Sequence, residues 1–401
     1  MSDKILKTNQ FEPILIETAS GSWIIDVKGK KYLDCESGMW CANLGHNHPS
    51  IIDTISNQSS KMIHRNKGFL NPITIRAAEK LVDYIPIRFD KVTFLNSGSE
   101  AVEFAINFAK KITKRKNVLS LQDSYLGAFG IARELSFTSE EKEKFKLEYP
   151  VCGRNECDNL DQYIHNANRL IDEYANDIAC FVLEPIMVGG GVLKSCSKFI
   201  KHICKRMKEI GALIIIDEVT TGFGRTGKKF GFELFDITPD ILALGKALGN
   251  GYPISAVVTK SDLEAELTPS ELYYAQSHQL DPLGTSIALK VIELFELEEI
   301  IEKNKSKIIK IHSFLKSLSY PFISETRSFG FIYAIVLKKY SKLSLSELIL
   351  KIKNDLLEEG VMVGFSLGKE QIRFLPPLTI TDDEIEFLQK KILKIFDSIL
   401  E

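Results

Sequence analysis

Apolar residues along the middle of this chain come in short runs separated by amphipathic stretches. The runs predict strands at Lys91–Leu95, Asn117–Leu121, Ala179–Leu183, Ala212–Ile216, Ile241–Leu244 and Ile254–Thr259. Between Ser99 and Thr113, Val102, Ala105, Ala109 and Ile112 recur at helical spacing, and Ser197–Ile210 reads as a second helix. Strands that are apolar throughout and alternate with helices predict an α/β fold. Its central sheet is mostly parallel, with helices on both faces.

The two ends follow other patterns. Residues 13–50 read as short strands, Ile14–Glu17, Trp23–Val27 and Lys31–Asp34, with Gly21 and Gly29 at turns. Beyond about residue 287 come long amphipathic helices, a strand at Phe329–Leu337 and a final helix from Asp382. The expected division is an N-terminal strand-and-turn segment (1–50), a large domain (51–286) and a smaller C-terminal domain (287–401). The N-terminal segment is expected to pack with the small α+β domain. Ser136–Asp158, with the charge run Glu140–Lys146, reads as a solvated loop or frayed helix.

Composition narrows the function classes. With 51 basic and 53 acidic residues the chain is nearly neutral, which argues against a nucleic-acid or membrane-surface role. The start, MSDKILKTNQFEP, lacks the apolar core of a signal peptide, and no run reaches membrane-spanning length, so a cytoplasmic enzyme is expected. The seven cysteines, an odd count, point to reduced thiols. Cys35/Cys41 and Cys152/Cys157 lack zinc-knuckle spacing, and His46 and His48 in GHNHP read as a structural turn, so no metal is expected.

The candidate chemistry begins at Leu213. A wholly apolar run, Leu213 to Ile216, ends on Asp217 and Glu218. Twenty-nine residues after Asp217, Lys246 follows a second apolar run and stands between Gly245 and Ala247. Two parallel strands ending this way place a carboxylate and an amine at one rim of the sheet, where open α/β sheets bind ligands. A cofactor that attaches to an amine and needs an anion to keep its ring protonated suits that pair, and pyridoxal phosphate fits this description.

Phe94–Ala109 reads as strand, small-residue turn and helix, with Ser97 and Glu100 at capping-box spacing. Free amides at Gly98 and Ser99 would favour an anion such as a phosphate. A second glycine cluster, GFGRTGK (Gly222–Lys228), has the spacing of a P-loop. Lys229 stands where that motif needs Ser or Thr, so nucleotide binding is rejected.

Six blocks, NSGSEAVE, EPIMVGGGV, IIIDEVTTGFGRTG, LGKALGNGYPISAV, SHQLDPLGTSIAL and IRFLPPLTIT, come in the order found in class III aminotransferases. The resemblance runs from about Pro13 to the terminal helix and implies a fold-type I, aspartate-aminotransferase-like enzyme that uses pyridoxal 5′-phosphate. It implies that Lys246 attaches the cofactor and shuttles the proton, and that Asp217 partners the ring nitrogen. Tyr125 and Val219 would cover the two ring faces, and Gly98 and Ser99 would form the phosphate cup. Ser277 stands where the family has a threonine that reaches the phosphate of the neighbouring subunit, which implies a homodimer with shared sites. Arg373 resembles the arginine that binds a substrate carboxylate, a task that suits a guanidinium fork.

Departures from the pattern bear on the substrate. Ornithine-type enzymes have EPVQGEGG, whose second glutamate covers the carboxylate-binding arginine; Gly189 stands there in this chain. Thr220 replaces the glutamine after DEV, and Leu126 replaces a histidine; the three departures point away from ornithine, acetylornithine and 4-aminobutyrate enzymes. SGMWCANLGHNHP instead resembles the SGLWC segment of ω-amino-acid and amine transaminases, with Trp40 as an apolar pocket wall. The expected activity is transamination between an ω-amino acid or amine donor and a keto acid or aldehyde. Alternatives are an aminomutase, racemase or decarboxylase on the same fold, or a scaffold dimer without activity. The aminomutase block NSGTEATM differs from this chain at Val102–Glu103.

Overall fold

Leu213–Asp217 lies in the middle of a seven-stranded sheet. Across the sheet the order is Lys91–Leu95, Ser255–Thr259, Ile241–Leu244, Leu213–Asp217, Ile178–Leu183, Asn117–Leu121 and Lys146–Leu147. The computed structural model describes residues 4–6, 8, 11–141, 143–151 and 159–400. Ser255–Thr259 runs antiparallel to both neighbours, and the strands from Ile241–Leu244 to Lys146–Leu147 pair in parallel. In register, Asp217 stands opposite Ala243, three residues before Lys246. That pairing puts both charged groups at the same rim.

Alternate residues of each strand feed alternate faces. Ile214 and Ile216 pack with Phe199, Ile200, Ile203 and Met207 of the Ser197–Glu209 helix, all in one core. Ile215 faces the other way and joins Val102, Ala105 and Ala109 of the Gly98–Thr113 helix. Each fully buried isoleucine contributes about 1.5–3 kcal/mol. The central strands are therefore hydrophobic throughout because both faces are covered.

The chain ends meet in a second sheet. Ile16–Ser20, Trp23–Asp26 and Lys31–Asp34 form an antiparallel meander, and the C-terminal strand Val361–Met362 adds to it in parallel. A third sheet orders Ile323–Phe329, Ile332–Leu337, Gln371–Phe374 and Gly364–Ser366. The single strand expected at Phe329–Leu337 is thus a hairpin turn plus its second strand. Gly330 makes the turn at φ +63°, and a Cβ there would lie 2.2 Å from the Thr226 carbonyl carbon, so only glycine fits.

The expected loop after Ser136 contributes an edge strand, Lys146–Leu147. Residues 152–158 of that loop, with Cys152 and Cys157, lie outside the described residues. Cys196 is disulfide-bonded, which corrects the expectation of reduced thiols at that position. Pairing depends on Cα–Cα distance in space, which neither the count nor the spacing of cysteines reveals. Cys35, Cys41, Cys180 and Cys204 are free. Among the described residues no helix is long and apolar enough to cross a membrane.

Candidate active site

The segment after Leu213–Asp217 gives successive residues different partners. Asp217 accepts the Val219 N–H at 2.9 Å, which turns the chain back at the strand end. Glu218 points into the core and accepts from Thr221 Oγ1, Gly231 N and Phe232 N. Thr220 Oγ1 accepts the Lys246 amine at 2.7 Å. Lys246 itself is held at φ +43°, an uncommon conformation for a side chain-bearing residue. Its strain is of the kind that gathers at functional sites.

Burial governs the protonation of this rim. It pushes the Lys246 amine below its ordinary value, against the opposing pull of Cys41, Glu184 and Asp217. Burial raises Asp217 to about 7, with the Val219 amide and Lys246 pulling it back. Glu184 rises to about 8 through burial first and the Asp217 charge second. Desolvation outweighs the charge partners at all three groups.

The Gly98–Thr113 helix points its N-terminus at this rim. Ser97 Oγ caps the Glu100 N–H at 3.1 Å, while Glu100 reaches back to the amide of Asn96 rather than closing the expected box on Ser97. A Cβ on Gly98 would lie 2.5 Å from Val219 Cγ1, and one on Gly245 would lie 3.4 Å from the Gly98 Cα. Gly98, Val219 and the residue before Lys246 are therefore packed together, with no room for a side chain at Gly98. Ser99 Oγ accepts the Ala128 N–H at 3.1 Å, and Glu184 accepts the Tyr125 N–H at 3.0 Å. The first bond ties the Tyr125 loop to the helix start and the second ties it to the end of the strand Ile178–Leu183, while Tyr125 stays 42% exposed.

Opposite the rim stands a wall built from both chain ends. Ser37, Gly38, Met39 and Trp40 all have positive φ, at 40°, 59°, 57° and 68°, so this turn winds left-handed. Three of the four carry side chains, and each costs about 1–2 kcal/mol in that conformation. Buried polar contacts hold it. Asp34 accepts the N–H groups of Glu36 and Gly38, and its other partner, His46 Nε2, lies at 2.8 Å. Arg225, wholly buried, donates to Ser37 Oγ, Asn43 Oδ1 and the Pro376 carbonyl. Arg225 belongs to the GFGRTGK cluster, which thus serves as a clamp on the wall.

The turn places the Trp40 ring beside two cations. The Lys246 amine is 4.3 Å from the ring centroid and the Arg373 guanidinium carbon 4.8 Å. Arg373 in turn pairs with Glu36 at 3.4 Å. Gly189, where the ornithine-type pattern has its glutamate, packs against Phe137 and Tyr125. A different glutamate, from the N-terminal segment, stands on Arg373.

The structure brings Lys246, Asp217, Val219, Gly98, Ser99, Trp40, Tyr125 and Arg373 around one region. Ser277 is exposed on the segment before the Pro282–Leu297 helix, and the Lys246 amine hydrogen-bonds to Thr220 rather than to it. His64 and His278 both hydrogen-bond to Asp281, which fastens that segment. Sequence reading passed over Glu36, Thr220 as a partner of Lys246, Glu184 and Arg225. Glu184 and Arg225 stood in motifs already noticed, but their side-chain partners lie far along the chain.

These atoms fit pyridoxal phosphate. The amine at Lys246 has lost part of its preference for the charged form, and an anion stands beside it at Asp217. A helix start with uncapped amides at Gly98 and Ser99 and an exposed aromatic at Tyr125 complete the set. A protonated ring nitrogen near Asp217 would reverse the burial that now raises that carboxyl.

Known proteins of similar sequence and fold are aminotransferases. The family description "Aminotransferase class-III" matches residues 6–396. An uncharacterized aminotransferase of Schizosaccharomyces pombe is 31% identical, over 97% of this chain and 91% of its own. The adenosylmethionine-8-amino-7-oxononanoate aminotransferase of Methanocaldococcus jannaschii is also 31% identical, over 94% and 90%. Among solved structures, an ω-aminotransferase from Paracoccus denitrificans superposes with a TM-score of 0.90 at 25% identity, covering 100% of this chain and 97% of that one. The ω-transaminase of Pseudomonas jessenii in complex with PMP gives 0.89 at 25% identity, covering 96% and 92%.

Proposed function

This chain belongs to the class III aminotransferases, and on that premise we propose that it moves an amino group from an ω-amino acid or amine to a keto acid or aldehyde. Pyridoxal phosphate, when bound, supplies the aldehyde that carries the amino group and a protonated ring that takes up electrons released at the substrate carbon. The observation that carries the reading is the half-buried Lys246 amine, held by Thr220 at the sheet rim that also carries Asp217.

The chain's own residues divide the work. Lys246 Nζ would hold the cofactor by its aldehyde carbon and would carry the proton from the substrate carbon that bears nitrogen to that aldehyde carbon. Its lowered proton affinity keeps a neutral amine available for both tasks. Thr220 holds the amine in place whenever it is free. Asp217 keeps the ring nitrogen protonated. The Gly98 and Ser99 amides hold the phosphate, and Val219 and Tyr125 cover the ring faces. Trp40 gives the substrate an apolar wall, and Arg373 anchors the carboxylate of whichever partner carries one.

The working unit we propose is a homodimer, in which Ser277 completes the phosphate site of the neighbouring subunit. Its exposure, together with the exposed apolar side chains of Phe69, Leu70 and Tyr273, supports a covered face. The four free thiols support a cytoplasmic location, and the bridge at Cys196 counts the other way. A Bacillus subtilis relative, 31% identical over 80% of this chain and 77% of its own, is named a probable 4-aminobutyrate aminotransferase; 4-aminobutyrate is an ω-amino acid, so the relative supports that substrate class, while Gly189, Thr220 and Leu126 lead away from that particular enzyme.

The test is a half-reaction with purified, cofactor-loaded protein and a panel of donors and acceptors. Stoichiometric transfer of nitrogen from an ω-amino acid or amine to the bound cofactor, without release of carbon dioxide, is the expected result. Decarboxylation or racemisation in its place, or a protein that takes up no cofactor, would overturn the reading.

A further inference from the structure

Arg373 is already paired before any substrate arrives. Glu36 sits 3.4 Å from it, and the two side chains are only 9% and 13% exposed. Burial raises the Glu36 carboxyl, and the Arg373 charge pulls it back. The pair is closely fitted. The Glu36 N–H donates to Asp34, and a Cβ on Gly364, which pairs with Arg373 across two strands, would lie 2.3 Å from Glu36 Oε1. Glu36 Oε1 is buried without a hydrogen-bond partner.

An incoming carboxylate must therefore compete with a resident one. Glu36 has room to yield, because it and Arg373 both line a cavity of about 410 Å³ walled by Ile14, Ile24, Met39 and Phe365. A donor that ends in a methyl group has no such competition. It meets a neutralised pair and an apolar wall, with no buried charge left unmatched.

We propose that Glu36 sets substrate choice: it neutralises Arg373 for uncharged amines and turns into the cavity when a carboxylate takes the guanidinium. The inference rests on Arg373 being the carboxylate anchor of the proposed transaminase. It makes Glu36 a specificity-determining residue supplied by the N-terminal segment and unrelated to the EPIMVGGG block.

The experiment compares 4-aminobutyrate with n-butylamine, which differ only in the carboxylate, on the cofactor-loaded wild type and Glu36→Gln. Loss of the resident charge should lower KM for 4-aminobutyrate about tenfold relative to n-butylamine, whose own KM should rise because Arg373 is left unmatched. Binding of butyrate, which cannot react, should tighten by a similar factor when followed by tryptophan fluorescence. Glu36→Asp, which keeps the charge but draws it back, guards against a folding defect and should shift the ratio the same way by less. A 4-aminobutyrate/n-butylamine ratio unchanged in both variants, or moved toward the amine, overturns the proposal. Transfer from n-butylamine in the same assays separates that failure from failure of the transaminase reading.

Discussion

The rim and the wall of this site are made in different ways. At the rim, Asp217, Val219, Thr220 and Lys246 ride on two adjacent parallel strands whose register alone brings them together. At the wall, Trp40, Glu36 and Arg373 come from opposite ends of the chain and are held by a left-handed turn and buried polar bonds. The rim inherits its geometry from the core of the sheet. The wall keeps its geometry only while a set of long-range hydrogen bonds survives, so the two regions should fail differently.

The largest contrast is expected from Lys246→Ala. Turnover should fall by more than about 10⁴-fold, because attachment and proton transfer are lost together and the latter alone is worth about 10²–10⁴. Unfolding in urea should be unchanged or slightly later, since a half-buried amine in a strained backbone is removed; a variant that retains turnover would break the assignment. Arg225→Met should do the reverse. It strands Ser37, Asn43 and Pro376 without their donor and should cost about 3 kcal/mol or more in urea unfolding. Wild-type stability in that variant would mean the clamp holds nothing.

Smaller effects sharpen the rim itself. Thr220→Val removes the one hydroxyl bonded to the free amine and should slow turnover about tenfold, with Thr220→Ser restoring it. Competitive acylation of the cofactor-free protein gives a readout independent of turnover, and the Lys246 amine should lose protons more readily in the valine variant. Equal turnover and equal reactivity in both variants would remove Thr220 from the mechanism.

The smallest effect is on stability against pH. Asp217 is raised from an ordinary 3.8 to about 7 in the fold. A carboxyl raised this way contributes stability below about pH 4 and loses it as pH climbs through 7. Cofactor-free Asp217→Asn should therefore melt later than wild type at pH 8, by about 2–5 °C, and show a flatter profile between pH 5 and 8. Glu184, raised to about 8, keeps part of the slope. Identical profiles would mean that Asp217 is not buried as a proton acceptor.

The rim was legible in the sequence because local signals carried it. An apolar run that stops on a carboxylate marks both a strand and its end, and Ser97 marks the helix start three residues before Glu100. The wall was legible only in part. Trp40 and Arg373 were reached through resemblance, but their contact with Glu36 joins positions 337 residues apart, and no periodicity records such a pairing. The hairpin at Gly330 was hidden for a different reason: its first strand, ISETRSF, is largely polar and only half-buried, so only the apolar stretch after the glycine reads as a strand. The bridge at Cys196 depended on proximity in space and left no mark in the spacing.

The Arg225 clamp also sets an order of assembly. Two of its acceptors, Ser37 and Asn43, precede it by 188 and 182 residues, whereas the Pro376 carbonyl follows 151 residues later. During synthesis the rim residues, Gly98 through Lys246, have all left the ribosome while Pro376 is still unmade. Closing so long a loop is entropically costly and late, and contacts of this separation slow folding. A nascent chain can thus carry every residue that grips the cofactor before it has any wall to select a substrate.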